Sequence, residues 1–328
     1  MGVLHAGIFN ALPDCHVVAI CEKERLQIRL AKSLVPERIT FYRDSVRMVE
    51  EEELDGVVIA TPIGTHVPIA ADLAKTNSKL SIFIEKPLAP SANQAQLACE
   101  AISKLTGIHM VGFQKRFSPV FQQAKQFIKN GSIGDLMFFR AHSFSSDVLR
   151  QGDSWRFKQG SGGVLLDLAP HLVDMLLWFF DIPSSVFAVT KRLFSRSVDD
   201  YVHAVMSYES GLKGYFDACW SISSYRLPEI WIEVHGKNGT MTLTDDFVKL
   251  ELESKRKDEA KSLLVYYKQS FDTSASFLLA DPEYTREDEA FLRGLREHTL
   301  PSPDFFEAAR VNVFIDRIIN STEKGRSC

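Results

Sequence analysis

Asp167, His171 and Asp174 stand four and three residues apart in the segment DLAPHLVD. On a helix this spacing puts a carboxylate and an imidazole on one face. A carboxylate beside an imidazole raises its pKa and fixes its orientation, which suits general acid/base work. An ordinary ion pair has the same spacing, and so does a pair of zinc ligands. No third ligand follows at a recognisable spacing, so no metal is predicted. The glycine run at 160–163, just upstream, lets a ligand or another backbone approach closely. A second candidate is FIEKPLAPS at 83–91, where an apolar strand runs into Glu85, Lys86 and Pro87. The ends of strands are where α/β enzymes keep their chemistry, although a solvated loop would read the same way. His66, after TPIGT, either sits near a ligand or caps a helix start. Arg116, in GFQKRFSP, either contacts an anion or ties domains together, and Trp155-Arg156 either lines a pocket or packs its loop.

The elements around these residues change character along the chain. Up to about residue 116, short β-branched runs alternate with helical patterns. HVVAIC (16–21), 39–42, DGVVIATP (55–62), 80–84 and 108–113 read as strands. Residues 24–34, 45–53, 67–75 and 91–105 read as helices, the last with Ser91 as its N-cap. This alternation predicts a parallel sheet covered by helices, with ligands bound beyond the carboxyl ends of its strands. Glu22, the turn Thr61–His66 and Glu85-Lys86-Pro87 stand at three such ends. After residue 116 come a helix at 120–129, a strand LMFFRAHSF at 136–144 and the helix VLLDLAPHLVDMLLWFF. Extended runs VFAVTKRLF, YVHAVMSYE, LKGYFDACW, IWIEVHG and TMTLTD follow, then helices at 286–297 and 305–320. Long strands joined by turns predict a large, mostly antiparallel sheet. The mixed charges at 251–261 read as a solvated loop or strand. The sequence thus predicts a domain at 1–116 and an α+β domain at 117–328.

Composition sets the outer limits. The 328 residues exceed one ordinary core, and 45% hydrophobic with 24% charged residues is globular. A net charge of −4 without a basic block argues against nucleic acid as a partner. Five scattered cysteines with no CxxC pair fit a reducing compartment. No apolar run approaches the roughly 18 residues of a spanning helix, and the first residues have no basic region before an apolar core. A soluble cytoplasmic protein without a membrane partner is expected.

ATPIGTHVPIA, IEKPLA, GFQKRFSP and SWRFKQGSGGVLLDLAPHLVD, in this order, resemble the Gfo/Idh/MocA oxidoreductase family, relatives of glucose-fructose oxidoreductase and inositol dehydrogenase. The resemblance covers nearly the whole chain. It implies a Rossmann-type dinucleotide-binding domain followed by a substrate-binding and oligomerisation domain built on a large open sheet. It implies hydride transfer between NAD or NADP and a secondary alcohol or ketone of a sugar, inositol or related polyol. By that resemblance Lys86 hydrogen-bonds the reacting oxygen, His171 is the acid/base, and Asp167 binds a substrate hydroxyl or tunes the histidine. Gly2, Glu22, Thr61, Pro62, His66, Glu85 and Lys86 would line the cofactor, and Arg116, Trp155, Arg156, Asp167 and His171 the substrate. A homodimer or homotetramer through the open sheet is implied as well.

Two departures qualify these expectations. The family's D-x-G-x-H is Asp-Leu-Ala-Pro-His here, with Ala169 for glycine and Pro170 beside the histidine; a helix that starts only at Pro170 would leave the Asp167–His171 spacing not strictly helical. The family's opening strand and G-x-G-x-x-G loop have no counterpart, and Gly2 stands at the last glycine position. The expected dinucleotide sheet therefore has its first strand missing, and a non-catalytic binding or scaffold relative with an incomplete cofactor site is the alternative reading. Glu22 favours NAD through its ribose contact, whereas Lys23 and Arg25 keep NADP open.

Overall fold

The computed structural model describes residues 1–103, 105–160, 162–253, 262–271 and 280–324, with side chains through residue 322. The charged stretch at 251–261 lies outside the described residues from 254 onward, as do Ser161 of the glycine run and Cys328.

The chain opens with helix α1 (Gly2–Ala11). The elements β1 (Ala19–Cys21), α2 (Arg25–Lys32), β2 (Thr40–Tyr42), α3 (Ser45–Glu51) and β3 (Gly56–Ile59) come next. They lead to α4 (His66–Thr76), β4 (Ser81–Glu85), α5 (Ala92–Ile102) and β5 (His109–Gly112). Beyond these lie α6 (Pro119–Lys129), β6 (Leu136–Phe144), α7 (Val164–Asp167) and α8 (Ala169–Phe180). Strands β7 (Ser185–Lys191), β8 (Tyr201–Ser207), β9 (Lys213–Cys219) and β10 (Glu229–Gly236) follow, then β11 (Gly239–Thr244), β12 (Phe247–Leu252) and β13 (Ser262–Tyr267). The chain closes with α9 (Pro282–Glu297) and α10 (Phe305–Lys324).

Two compact units result. Met1–Gln114 with Ala275–Asn312 form the first, and Lys115–Ser274 with Val313–Cys328 the second. The sequence reading ended the first domain at residue 116 and gave everything after it to the second. The structure instead returns α9 to the first unit. The aromatic contacts of Phe291 explain this: it meets Phe83 of β4 at 5.6 Å and Phe9 of α1 at 6.3 Å between ring centroids.

In the first unit all strand pairs are parallel, as the alternation requires. They form two ladders, β1-β2 and β3-β4-β5, and among the described residues no ladder joins β1 to β3. In a Rossmann sheet the first strand lies between the strands that β1 and β3 represent. Burial follows the same break. Every residue of β4 and β5 is buried, whereas Ala19–Cys21 and three of the four residues of β3 are only half-buried. Local capping is well defined. Asp44 accepts from the Val46 and Arg47 amides at the start of α3 (2.9 and 3.0 Å), and Ser91 accepts from Gln94 at the start of α5. Asp44→Ala is expected to lower unfolding free energy by about 1 kcal/mol, read from the urea midpoint, because the first-turn donors lose their acceptor.

The second unit is one sheet of eight strands in the order β13-β12-β11-β10-β6-β9-β8-β7. Only β6 and β9 pair in parallel. Residues alternate cleanly: Phe139, Ala141 and Ser143 of β6 are buried, while Phe138, Arg140 and His142 lie on the open face. Phe139 stacks on Phe180 of α8 at 4.3 Å. Gly214 makes this packing possible, since a Cβ there would stand 2.2 Å from the Phe139 ring. No helix among the described residues is long and apolar enough to cross a membrane.

Candidate active site

Two groups of residues hold the candidates for chemistry, one in each unit. In the first, Glu22 and Lys86 directly follow β1 and β4, and Thr61 lies two residues past the end of β3. Glu85, the last residue of β4, is buried and accepts the Lys86 backbone amide at 3.1 Å. The following Lys86–Pro87 peptide is cis. His66 is 1% exposed, with Nδ1 3.0 Å from the Pro87 carbonyl oxygen and Nε2 2.7 Å from that of Thr61. Burial pulls its pKa down, against the two carbonyl contacts. A neutral ring donates to one carbonyl at a time. This placement corrects the reading of His66 as a cofactor contact: it lies beneath the surface and ties the Thr61 turn to the Pro87 turn. Thr61 and Pro62 remain exposed above it, and the Thr61 hydroxyl oxygen accepts from the Thr65 hydroxyl at 2.7 Å.

Sequence reasoning passed over the partners of Glu85. His5 of α1 places Nε2 2.8 Å from Glu85 Oε1, and its Nδ1 lies 2.8 and 3.0 Å from the two carboxylate oxygens of Asp288 in α9. Burial opposes charge on His5, but the bonds to Asp288 and Glu85 win and raise its pKa to about 9. Burial raises Asp288 to about 6 against the attraction of His5. A signal existed in the sequence. Helical spacing puts His5 on the face of Ile8, Phe9 and Leu12, and all four are buried. A polar residue within such a face needs a partner.

In the second unit the candidate segment is helical but not one helix. Val164–Asp167 forms a single turn, Leu168 keeps helical backbone angles (φ −87, ψ −50), and α8 then starts at Ala169 with Pro170 in its first turn. Pro170 thus marks the helix start, and the four-residue spacing of Asp167 and His171 still runs through helical backbone. Arg156 Nε holds Asp167 Oδ2 at 2.9 Å. The glycine run is folded onto that arginine's turn. Gly163 donates to the Arg156 carbonyl at 2.9 Å, and a Cβ on Gly162 would lie 2.0 Å from the same oxygen. Gly163 also has φ +98, so two adjacent positions demand glycine. Trp155 and Arg156 sit half-buried in the short 3-10 turn Trp155–Phe157.

Arg116 requires a correction. It was expected among the substrate contacts, but its Nε and Nη2 hold Asp174 Oδ2 and Oδ1 at 2.8 and 2.7 Å. Both side chains are buried, at 7% and 0% exposure. The guanidinium fork is engaged by a carboxylate of matching geometry, so Arg116 anchors α8 and does not offer itself to a ligand.

The first unit suits a dinucleotide in its donor set. Glu22 stands half-buried after β1, with one oxygen accepting the Glu24 amide at 2.9 Å, so a ribose hydroxyl can use the other. Helix α1 begins at Gly2 without a side-chain cap, which leaves a positive dipole end and backbone donors for phosphate.

A family model described as "Oxidoreductase family, NAD-binding Rossmann fold" matches residues 1–113, and one described as "GFO/IDH/MocA C-terminal domain" matches residues 121–242. The rhizopine catabolism protein MocA of Rhizobium meliloti is 27% identical over 243 residues, 67% of this chain and 74% of its own. The scyllo-inositol 2-dehydrogenase (NAD(+)) of Bacillus subtilis is 29% identical over 250 residues, 74% of this chain and 70% of its own. A levoglucosan dehydrogenase solved in complex with NADH and L-sorbose superposes with a TM-score of 0.88 at 23% identity, covering 100% of this chain and 95% of that one. At that identity the superposition speaks for the fold.

Proposed function

The chain belongs to the Gfo/Idh/MocA oxidoreductase family, and from that premise we propose that it moves a hydride between a nicotinamide dinucleotide and a secondary alcohol or ketone of a sugar, inositol or related polyol. The observation that carries the reading is the Glu85-Lys86-Pro87 turn, set at the carboxyl end of β4 and fixed from below by His66. A bound oxidised nicotinamide would supply the acceptor for the hydride of the carbinol carbon. The chain's own groups manage the rest. Lys86 hydrogen-bonds the reacting oxygen, His171 takes the hydroxyl proton and passes it to solvent, and a carbonyl product remains. Asp167 binds a neighbouring hydroxyl, and Arg156 holds that carboxylate in place. Trp155 lines the same substrate region.

The first unit serves the dinucleotide and the second the substrate. Glu22 makes NAD the preferred partner, because its carboxylate accepts from ribose hydroxyls and repels a 2′-phosphate. Thr61, Pro62, Glu85 and Gly2 complete the cofactor-contacting set. The open face of the eight-stranded sheet presents Phe187, Val189 and Tyr215 with large exposed areas. Isologous pairing through it gives a homodimer, and a homotetramer would add a second, different isologous face. The four described cysteines are all free thiols, in keeping with a cytoplasmic setting.

The relatives' names favour the enzyme over a non-catalytic scaffold. The test is a calorimetric titration of NADH and NADPH, followed by a panel of sugars and polyols with NAD. NADH is expected to bind at least about tenfold more tightly than NADPH, and one polyol class to give turnover. Absence of both binding and turnover would leave the scaffold reading.

A further inference from the structure

His5 is not needed for the chemistry above, yet it is 1% exposed and sits between two carboxylates that come from distant parts of the chain. Its contacts specify its protonation state. A neutral imidazole has one N–H, and here both ring nitrogens lie 2.8 Å from a carboxylate oxygen. Only the imidazolium donates in both directions. The trio of Glu85, His5 and Asp288 then carries one net negative charge in place of two. Glu85 and Asp288 are the charged groups that face the ring. Phe83 and Tyr284 close it at 5.2 and 6.3 Å between centroids, and burial keeps the Tyr284 phenol protonated far above neutral pH.

The chain of contacts continues outward. The Glu85 oxygen that does not meet His5 accepts the Lys86 amide. We propose that His5, anchored by Asp288, is the positioning residue of the Glu85-Lys86-Pro87 turn: its charge holds Glu85, and Glu85 holds the backbone from which Lys86 projects. This rests on the dehydrogenase reading for its catalytic consequence, but the hold on the turn stands on geometry alone. The asymmetry of the contacts says what happens when the ring loses its proton. Asp288 engages Nδ1 with both oxygens, whereas Glu85 engages Nε2 with one. The remaining proton stays on Nδ1, and Glu85 loses its donor. A raised folded-state pKa contributes stability that is complete below the ordinary histidine value of 6.5 and is lost as pH rises through about 9. The turn is therefore held at neutral pH and released in alkali.

The experiment uses the full chain, deuterated and labelled with carbonyl-13C glutamate and 15N lysine. A carbon-detected carbonyl–nitrogen spectrum then shows only Glu-Lys peptides, and Lys86→Arg assigns the one at Glu85-Lys86. In the unsubstituted protein that peak is expected to move between pH 7 and 10 with a midpoint near 9. In His5→Gln it holds still, and in Asp288→Asn, which keeps the shape but removes the charge, the midpoint falls. A peak that does not move in the unsubstituted protein overturns the proposal without any variant having to fold. So does one that titrates identically in Asp288→Asn. The second readout is activity. His5→Gln is expected to lower kcat at pH 7 about 10- to 100-fold, with cofactor KM little changed and the alkaline limb near pH 9 absent. If the unsubstituted protein oxidises no polyol, the functional reading fails while the spectrum still decides whether His5 governs the turn.

Discussion

Lys86→Met is expected to lower kcat about 10²- to 10⁴-fold while lowering the urea midpoint of unfolding far less. The two effects separate because the side chain and the backbone of this residue do different things. The backbone amide of Lys86 donates to Glu85, and the next carbonyl, that of Pro87, meets His66. Neither contact uses the side-chain amine, and methionine preserves both. In the proposed role the substitution removes a donor to the oxygen whose proton leaves as the carbinol is oxidised. Lys86→Arg restores a positive donor with different reach and a planar fork, so partial recovery is expected. Steady-state rates with NAD and the polyol found in the panel, measured beside a urea curve, decide the matter. Parallel losses in rate and stability would make Lys86 a structural residue and sink its role at the reacting oxygen.

The strength of sequence reading here lay in local pattern. LMFFRAHSF declared a strand by alternation, and β6 occupies those nine residues. Ser91 and the run after it declared a capped helix, as α5 shows. The parallel pairing of the first unit was legible from its strand–helix alternation and appears as two parallel ladders. The failures share one cause: their evidence lies across the chain, not along it. FVKLEL of β12 alternates, but its charges merge with the charged run that follows, and only pairing with β11 and β13 distinguishes it. Glu85 and Asp288 lie 80 and 283 residues from His5, so no spacing rule connects the three. Arg116 looked available for an anion because its partner Asp174 lies 58 residues further along the chain. His66 followed a strand end and so resembled a ligand contact. Its two carbonyl partners, on separate turns, became visible only when the strands were laid side by side.

Arg116→Met is expected to cost about 3–5 kcal/mol of unfolding free energy, because Asp174 would keep a buried charge without its guanidinium. Asp174→Leu should cost a similar amount for the converse reason. The pair joins the 3-10 turn at 114–117 to the middle of α8, the helix that carries His171. The Trp178 ring also lies 5.9 Å from the guanidinium carbon. Removing both charges together is a different experiment. Arg116→Met with Asp174→Leu leaves no lone ion to desolvate, and apolar replacement of a buried pair is often neutral or stabilising. The double variant should therefore recover at least half of the loss of the worse single variant, a non-additivity measured by a double-mutant cycle. The exposed pair Lys237–Asp135, at 2.9 Å but with 66% and 81% of the side chains in solvent, serves as the control. Its length is that of a strong bond, yet salt and water screen it, and Asp135→Asn should leave the midpoint where it was. If Arg116→Met behaved like that control, the buried fork would be contributing nothing, and Arg116 would again be open to a role at the substrate. If it destabilises as expected and the double variant keeps its turnover, Arg116 acts by setting α8 in place, and the polar contacts of the substrate fall to Asp167 and His171.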